Sequence, residues 1–335
     1  NNSYGKSGTA RFLDGAFKAA VSFNLGKGHA ISLGGSFESR APQASTAFAA
    51  PEVNNDFVTH LKNEMVTNVE FAYQLSSSWI SLNASAYYTF ITDGTEWQIY
   101  YFDDENSFTY VSMTGIHKAA YGAELGARVK LTSFLDSKAL GTISDAKYLN
   151  NANVRYMMST GGNYNETLVY SKNMRESGTP RTATSIGLSF HRDGWFVDIS
   201  ANWYDRIYLS WSPSLRYESS LKAQGLINTG VDENGNIVTT VDAPAQALGK
   251  GGWMVDGSIG KNIYLKKGSL SFNLSLTNIL NNVKICTGGY EQSRSSYTVN
   301  NDGTQSGTRI YSFLNNPKKF YAYGTNGMFN VTYKF

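Results

Sequence analysis

From Asn326 to its last residue the chain alternates without a break. Gly327, Phe329, Val331, Tyr333 and Phe335 fall on one side, and Asn326, Met328, Asn330, Thr332 and Lys334 on the other. A period of two belongs to a β-strand, because successive side chains point to opposite faces. Three aromatics on one face with no polar tail after them are unusual for a soluble sandwich. A strand of about 9–11 residues with an apolar outer face is what a tilted transmembrane β-strand requires.

Ten earlier segments read the same way. Phe17, Ala19, Val21, Phe23 and Leu25 alternate down to Gly26-Lys27-Gly28, and Ile31, Leu33, Gly35 and Phe37 return. Met65, Val69, Phe71, Tyr73 and Leu75 descend to Ser76-Ser77-Ser78. Ile80, Leu82, Ala84, Ala86, Tyr88 and Phe90 ascend, faced by Ser81, Asn83, Ser85 and Thr89. Tyr121, Ala123, Leu125, Ala127, Val129 and Leu131 run down with Glu124, Arg128 and Lys130 pointing inward. The return, about 135–148, alternates poorly and is placed by its position in the series. Ile186, Leu188 and Phe190 lead to a turn at 191–194, and Trp195, Val197, Ile199, Ala201 and Trp203 lead away from it. That strand carries a Trp near each end of an apolar middle, as two interfacial aromatic girdles demand. Trp253, Val255, Gly257, Ile259 and Ile263 descend to Lys266-Lys267-Gly268, and Leu270, Phe272, Leu274 and Leu276 return.

Between these eleven strands, turns of a few residues alternate with segments of about 20–45 residues. The long segments are 40–61, 93–116 (with a hairpin of its own at Asp103-Asp104-Glu105-Asn106), 149–180, 208–251 and 278–324. Short turns on one side and long loops on the other are the asymmetry of outer-membrane barrels, periplasmic and extracellular respectively. Residues 1–15 read as the end of an extracellular loop. The expected fold is therefore an all-β, transmembrane antiparallel barrel. Composition agrees: charged residues are only 16%, aromatics are 14%, and mean hydropathy is −0.32 with no apolar run long enough for a membrane helix. Half of each strand faces lipid and half faces water. An odd number of strands leaves two unpaired edges, each costing several kcal/mol per orphaned group in lipid. Eleven strands therefore call for a larger, even-numbered barrel whose other strands precede Asn1, or for a twelfth strand in residues 1–13. The absence of a signal peptide and the start at Asn1-Asn2-Ser3-Tyr4 fit an internal cut from a longer chain.

Other classes find little support. The net charge of +3 is scattered, giving no nucleic-acid footprint. The lone Cys286 makes no intrachain disulfide. Asp232-Glu233-Asn234-Gly235-Asn236 lacks the further oxygens of a calcium loop and reads as a type I′ hairpin tip, so no metal or cofactor is called for. His29, His60, His117 and His191 stand in no Ser–His–acid neighbourhood, which argues against an enzyme. Aromatics in the outer segments form a candidate ligand vestibule: Trp97, Tyr100, Tyr101, Trp211 and Tyr290, with Arg216 and Arg294 nearby. Rings stack on ligand faces and Arg forks onto carboxylates.

The run Leu274-Ser-Leu-Thr-Asn-Ile-Leu-Asn-Asn282, then Thr287-Gly-Gly-Tyr-Glu-Gln292 and Phe329-x-Val-x-Tyr-x-Phe335, resembles the end of TonB-dependent outer-membrane receptors. The likeness is to their Bacteroidota branch, the SusC and RagA type. Leu61-Lys62-Asn63-Glu64 is similar to a Lys-Pro-Glu signal of that family with Asn63 in place of Pro. Ser177-Gly-Thr-Pro180 before Ser185-Ile-Gly-Leu188, and Asn202-Trp-Tyr-Asp205 before Pro213, fit the same branch. The resemblance implies a 22-stranded barrel filled by an amino-terminal plug, in which residues 16–335 are strands twelve to twenty-two. It implies active import of a glycan, peptide or chelated micronutrient, with the plug and first half of the barrel lying outside this chain. Implied partners are the TonB complex, outer-membrane lipid and lipopolysaccharide, the barrel-assembly machinery reading Phe329, Val331, Tyr333 and Phe335, and a surface lipoprotein lid. The alternative is a passive porin or a surface adhesion and assembly barrel.

Overall fold

The computed structural model describes residues 6–50, 55–102, 107–158, 163–292, 295–299, 305–311 and 317–335. Its frame is a single antiparallel sheet whose main path has eleven strands, each paired with the next in chain order. They are β1 (Ala16–Gly26), β2 (His29–Arg40), β3 (Glu64–Ser76), β4 (Ile80–Phe102), β5 (Ser107–Lys130), β6 (Leu135–Tyr148), β7 (Thr182–Arg192), β8 (Trp195–Asp205), β9 (Gly252–Tyr264), β10 (Ser269–Thr277) and β11 (Asn326–Lys334). These are the eleven segments the alternation selects, including the poorly alternating 135–148. No strand is found among residues 6–15, so the described residues supply no twelfth strand. The path ends at β1 and β11, and every residue of both is exposed. No helix is long and apolar enough to cross a membrane, which leaves crossing by strands untouched.

Register places the two faces. Leu274 lies opposite Phe329 and Ile259, and Phe272 opposite Val331, so one apolar row crosses β9, β10 and β11. Phe17, Val21, Leu33, Val69, Leu125, Ile186, Ile199 and Ile259 carry the row across the other strands and are exposed. Aromatic rings bound it at both ends. Trp203 packs against Trp253 and Tyr88 against Tyr121 at the long-loop end, while Trp79, Trp195 and Tyr333 sit at the short-turn end. Eight residue steps at about 3.3 Å separate the levels of Trp195 and Trp203 along β8. That is roughly the height of the ~25 Å apolar band of a transmembrane barrel.

The short turns are held by close backbone approaches. Gly268 has φ +93°, and a Cβ there would fall 2.0 Å from the carbonyl oxygen of Lys334. Only glycine lets this turn close against the final strand.

At the other end the structure departs from the expected loops. The hairpin expected within 93–116 is present, but residues 93–102 and 107–116 pair, from Gly94↔Ile116 to Phe102↔Ser107, as the outward continuation of β4 and β5 in one ladder. The register shifts twice between Ile91 and Glu96, where Asp93 has φ +54°. A bulge of this kind swaps faces, which hides the continuation from any count of alternation. Residues 149–180 contain strands Ala152–Met158 and Asn165–Val169, the first paired to the outer part of β5. The last long segment likewise contains strands, Cys286–Tyr290 pairing with Lys318–Tyr321 and Ser295–Val299 with Gln305–Tyr311. Hairpin Ile227–Val231 with Ile237–Val241 is present as expected, but its tip is not type I′. Only Gly235 has positive φ there, and the Asp232 carboxylate accepts the backbone N–H groups of Asn234 (2.9 Å) and Asn236 (2.8 Å). Those bonds favour the wider five-residue tip over the two-residue turn.

Candidate functional site

The polar rows of the wall converge on one side, where small residues leave room. Gln74, Asn83, Ser85, Thr142, Ser185, Asn202 and Tyr204 border a hollow of about 770 Å³, with Glu70 and Glu124 on its lining. Elsewhere on the inner face the charged and acidic groups are engaged. Arg128 donates to Asp136 (2.6 Å), Lys138 stands 3.7 Å from Asp198, and Asn202 donates to Asp256 (2.8 Å). Asp256 also receives the backbone N–H of Asn278 (2.7 Å), tying the inner face to the start of the last long connection. Glu70 and Glu124 make no ion pair among the described residues. This surface is hydrophilic and accessible, as a water-filled or polar-packed interior requires.

Above the rim, the ladder of β4 and β5, the 152–169 strands and the later connections pack into an outer layer. It has an apolar core of its own: Val111, Met113, Val154, Val169, Tyr148, Trp211 and Tyr217. Where this layer meets the wall, Lys118 donates to both Glu96 and Glu176, and the Tyr148 hydroxyl donates to Glu96 (2.8 Å). Arg206 lies beside them at the rim with φ +54° and donates to Thr182 Oγ1 and to the carbonyls of Ser144 and Arg181. Glu96, Gln98, Tyr148, Arg175, Glu176 and Trp211 border a polar recess of about 230 Å³ at this junction.

Among the described residues the structure brings Trp211, Arg216 and the Tyr290 backbone close to one another, but Trp97 stands apart from them. Trp97 is on the outer part of β4, stacked on Tyr110 and packed near Ala50 and Met157, with Nε1 buried and unpartnered. Tyr100 and Tyr101 follow it on the same strand; their side chains, and Arg294 altogether, lie outside the described residues. Trp211 is only 6% exposed, edge-on to Tyr148. Arg216 has no exposure at all, and its fork is taken by Glu291, with Nη1 to Oε2 at 2.6 Å and Nη2 to Oε1 at 3.1 Å. Instead of facing a vestibule, these two serve the interior of the outer layer. Trp211 belongs to the apolar core of that layer, and Ile207, Leu209, Leu215 and Leu221, close in sequence, are buried as well. Tyr290 is 45% exposed and packs edge-on against Phe320. Phe329, Val331 and Tyr333 lie on the apolar face of β11, with Phe335 just beyond it fully exposed.

Sequence reasoning did not single out Glu291, Gln246, Lys118 or Arg206. Lone polar residues in long connections carry no spacing signal, and their partners are up to 75 residues away. The Asn-rich run after Leu274 does have a local signature. Asn278 and Asn281 have φ +50° and +49°, a conformation asparagine tolerates, and their side chains bond to the Tyr323 carbonyl and the Thr325 N–H. They clamp the two ends of the last connection.

No protein-family model matches the chain, and no curated protein matches it in sequence. Solved structures do match in fold. The siderophore receptor PiuA from Acinetobacter baumannii aligns over 95% of this chain and 35% of its own, with 10% identity and a TM-score of 0.55. The FrpB iron transporter from Neisseria meningitidis aligns over 95% and 39%, with 14% identity and 0.52. The ferric yersiniabactin uptake receptor FyuA from Yersinia pestis gives 95% and 37%, with 12% identity and 0.51. At these identities the likeness is one of fold alone: an all-β, antiparallel barrel sheet. The chain spans little more than a third of each of those proteins.

Proposed function

We propose that this chain is a wall segment of a TonB-dependent importer in the outer membrane of a Gram-negative cell. In this reading residues 16–335 are strands twelve to twenty-two of a 22-stranded barrel, and β1 and β11 pair with strands outside this chain. The observation that carries it is the two-faced, eleven-strand sheet. It has an apolar band between aromatic girdles, a polar inner face, and all its long connections at one end. Import is favoured over a passive porin because so much structured mass stands over the mouth, and because the fold matches are receptors and transporters. The SusC-like motifs favour the Bacteroidota branch, with a surface lipoprotein lid as partner.

Cargo, a glycan, peptide or chelated micronutrient, would meet the exposed parts of the outer layer. We assign contact roles to Tyr290, which is exposed, and to Tyr100, Tyr101 and Arg294. Trp97, Trp211 and Arg216 would act indirectly, by holding that surface in shape. The plug would supply the link to TonB, and the Phe329–Phe335 strand would be read by the barrel-assembly machinery. The first experiment is the intact mass and amino-terminal sequence of the native polypeptide, purified from outer membranes without proteolysis. A much longer chain with a globular segment before the strands, crosslinking to TonB, is the expected result. A native chain starting near Asn1 with no companion chain would end the import reading.

A further inference from the structure

Three connections meet in the outer layer: 149–181, 206–251 and 278–325. At their junction one carboxylate does an unusual amount of bonding. Glu291, 5% exposed with its side chain fully buried, accepts four hydrogen bonds. Oε2 takes Arg216 Nη1 (2.6 Å) and the Ser212 N–H (3.0 Å). Oε1 takes Arg216 Nη2 (3.1 Å) and the Ala247 N–H (3.0 Å). Ser212 and Arg216 are on the outgoing arm of 206–251, Ala247 is on its returning arm, and Glu291 belongs to 278–325. The same arms are also stitched by backbone: Leu209 N–H to Ala247 O (3.0 Å), Ser210 N–H to Gly289 O (2.9 Å) and Glu291 N–H to Ser210 O (2.8 Å). Gln246 extends the chain of ties to the third connection. Its side chain accepts the Arg175 N–H (2.7 Å) and donates to the carbonyls of Arg175 (2.8 Å) and Leu209 (2.7 Å).

We propose that Glu291 is a latch that makes the parts of these connections gathered around it, 170–176, 206–217, 243–249 and 285–291, one rigid cap, opening and closing as a unit instead of loop by loop. The chemistry supports a carboxylate and nothing else at this position. Both oxygens face two donors each, so an amide would turn its NH₂ toward an N–H whichever way it flipped, and Arg216 would keep a buried, uncompensated charge. Hairpin 227–241 has no part in the latch. Apart from its base, its residues are exposed on both strands, so it adds nothing to the buried ties of the cap. A ligand touching either long connection would then bias both, because neither has an opening of its own. The latch would hold the cap together whatever passes beneath it.

The test is amide hydrogen exchange on the full native polypeptide in detergent or native outer membranes, wild type against Glu291→Gln. Removing one partner of a buried pair should raise exchange by on the order of 100-fold. The rise is expected together in segments 206–217, 243–249 and 285–291, and in 170–176 through Gln246. The amides of β7 and β8 and of hairpin 227–241 should not change. A rise confined to 285–291 would overturn the proposal, and so would a rise spread equally through the wall. Should Glu291→Gln fail to assemble, Glu291→Asp retains the charge on a shorter arm. It should raise exchange in the same segments in concert but less, and separate responses of those segments would refute the latch.

Discussion

The wall and the outer layer of this protein solve the burial problem in opposite ways. Apart from Ala119, the fully buried apolar residues lie at the rim or beyond it, among them Ile116, Met113, Val169, Leu209 and Leu221. The wall displays its Leu, Val, Phe and Ile side chains outward and holds together through ladder hydrogen bonds. The outer layer behaves like a small soluble domain, with an apolar core, stacked rings and the buried Arg216–Glu291 ion pair. In lipid the outward apolar residues are already in their preferred solvent, so the wall needs no core of that kind. The comparison teaches that a substitution of the same chemistry should have opposite consequences in the two regions.

Four measurements would break or sharpen that contrast. The largest effect is expected for Trp211→Ala, which empties a buried site against Tyr148 and Arg216 and should cost the outer layer roughly 3–5 kcal/mol. Hydrogen exchange should show the loss in the outer layer while β7–β10 stay protected. Next comes Leu274→Arg, at about 2–4 kcal/mol near the midplane in a lipid-reconstituted unfolding titration, with Ser275→Arg tolerated because Ser275 lies on the polar inner face, beside Ser258. Equal effects at 274 and 275 would mean that the two faces are reversed.

Gly268→Ala follows, at about 1–3 kcal/mol, because a side chain at φ +93° is strained and meets Lys334. It should lower the unfolding midpoint without altering exchange in the outer layer. The smallest effect concerns Asp232. Hydrogen bonds from the Asn236 side chain, then from the Asn236 and Asn234 backbone, hold its carboxyl below the usual aspartate range. Its stabilisation of the hairpin tip is therefore complete above the ordinary pKa of about 3.9, and is lost as pH falls through the lowered value. NMR shifts of Gly235 and Asn236 should move only in that acid window, and Asp232→Asn should remove the transition.

How far each region could be read without coordinates follows from the same physics. A strand with one face in lipid and one in water must alternate, so ten of the eleven wall strands were visible in the order of residues, with 135–148 placed only by its position between them, and so were the side-chain faces of Leu274 and Ser275. The short turns were visible because only particular residues, such as Gly268, adopt their backbone angles. The bulge at Asp93 broke that rule by a local slip, and the continuation of β4 and β5 vanished from the pattern with it. In the outer layer nothing periodic connects Arg216 with Glu291 or Lys118 with Glu176, since their pairing is a matter of three-dimensional approach across long connections. Trp211 and Arg216 therefore looked like ligand residues and proved to be interior ones. The sequence alone determined where the membrane wall runs, because the solvent on each face acts residue by residue. Only the tertiary structure decided which polar groups of the outer layer are buried together, because a buried charge is defined by partners far along the chain.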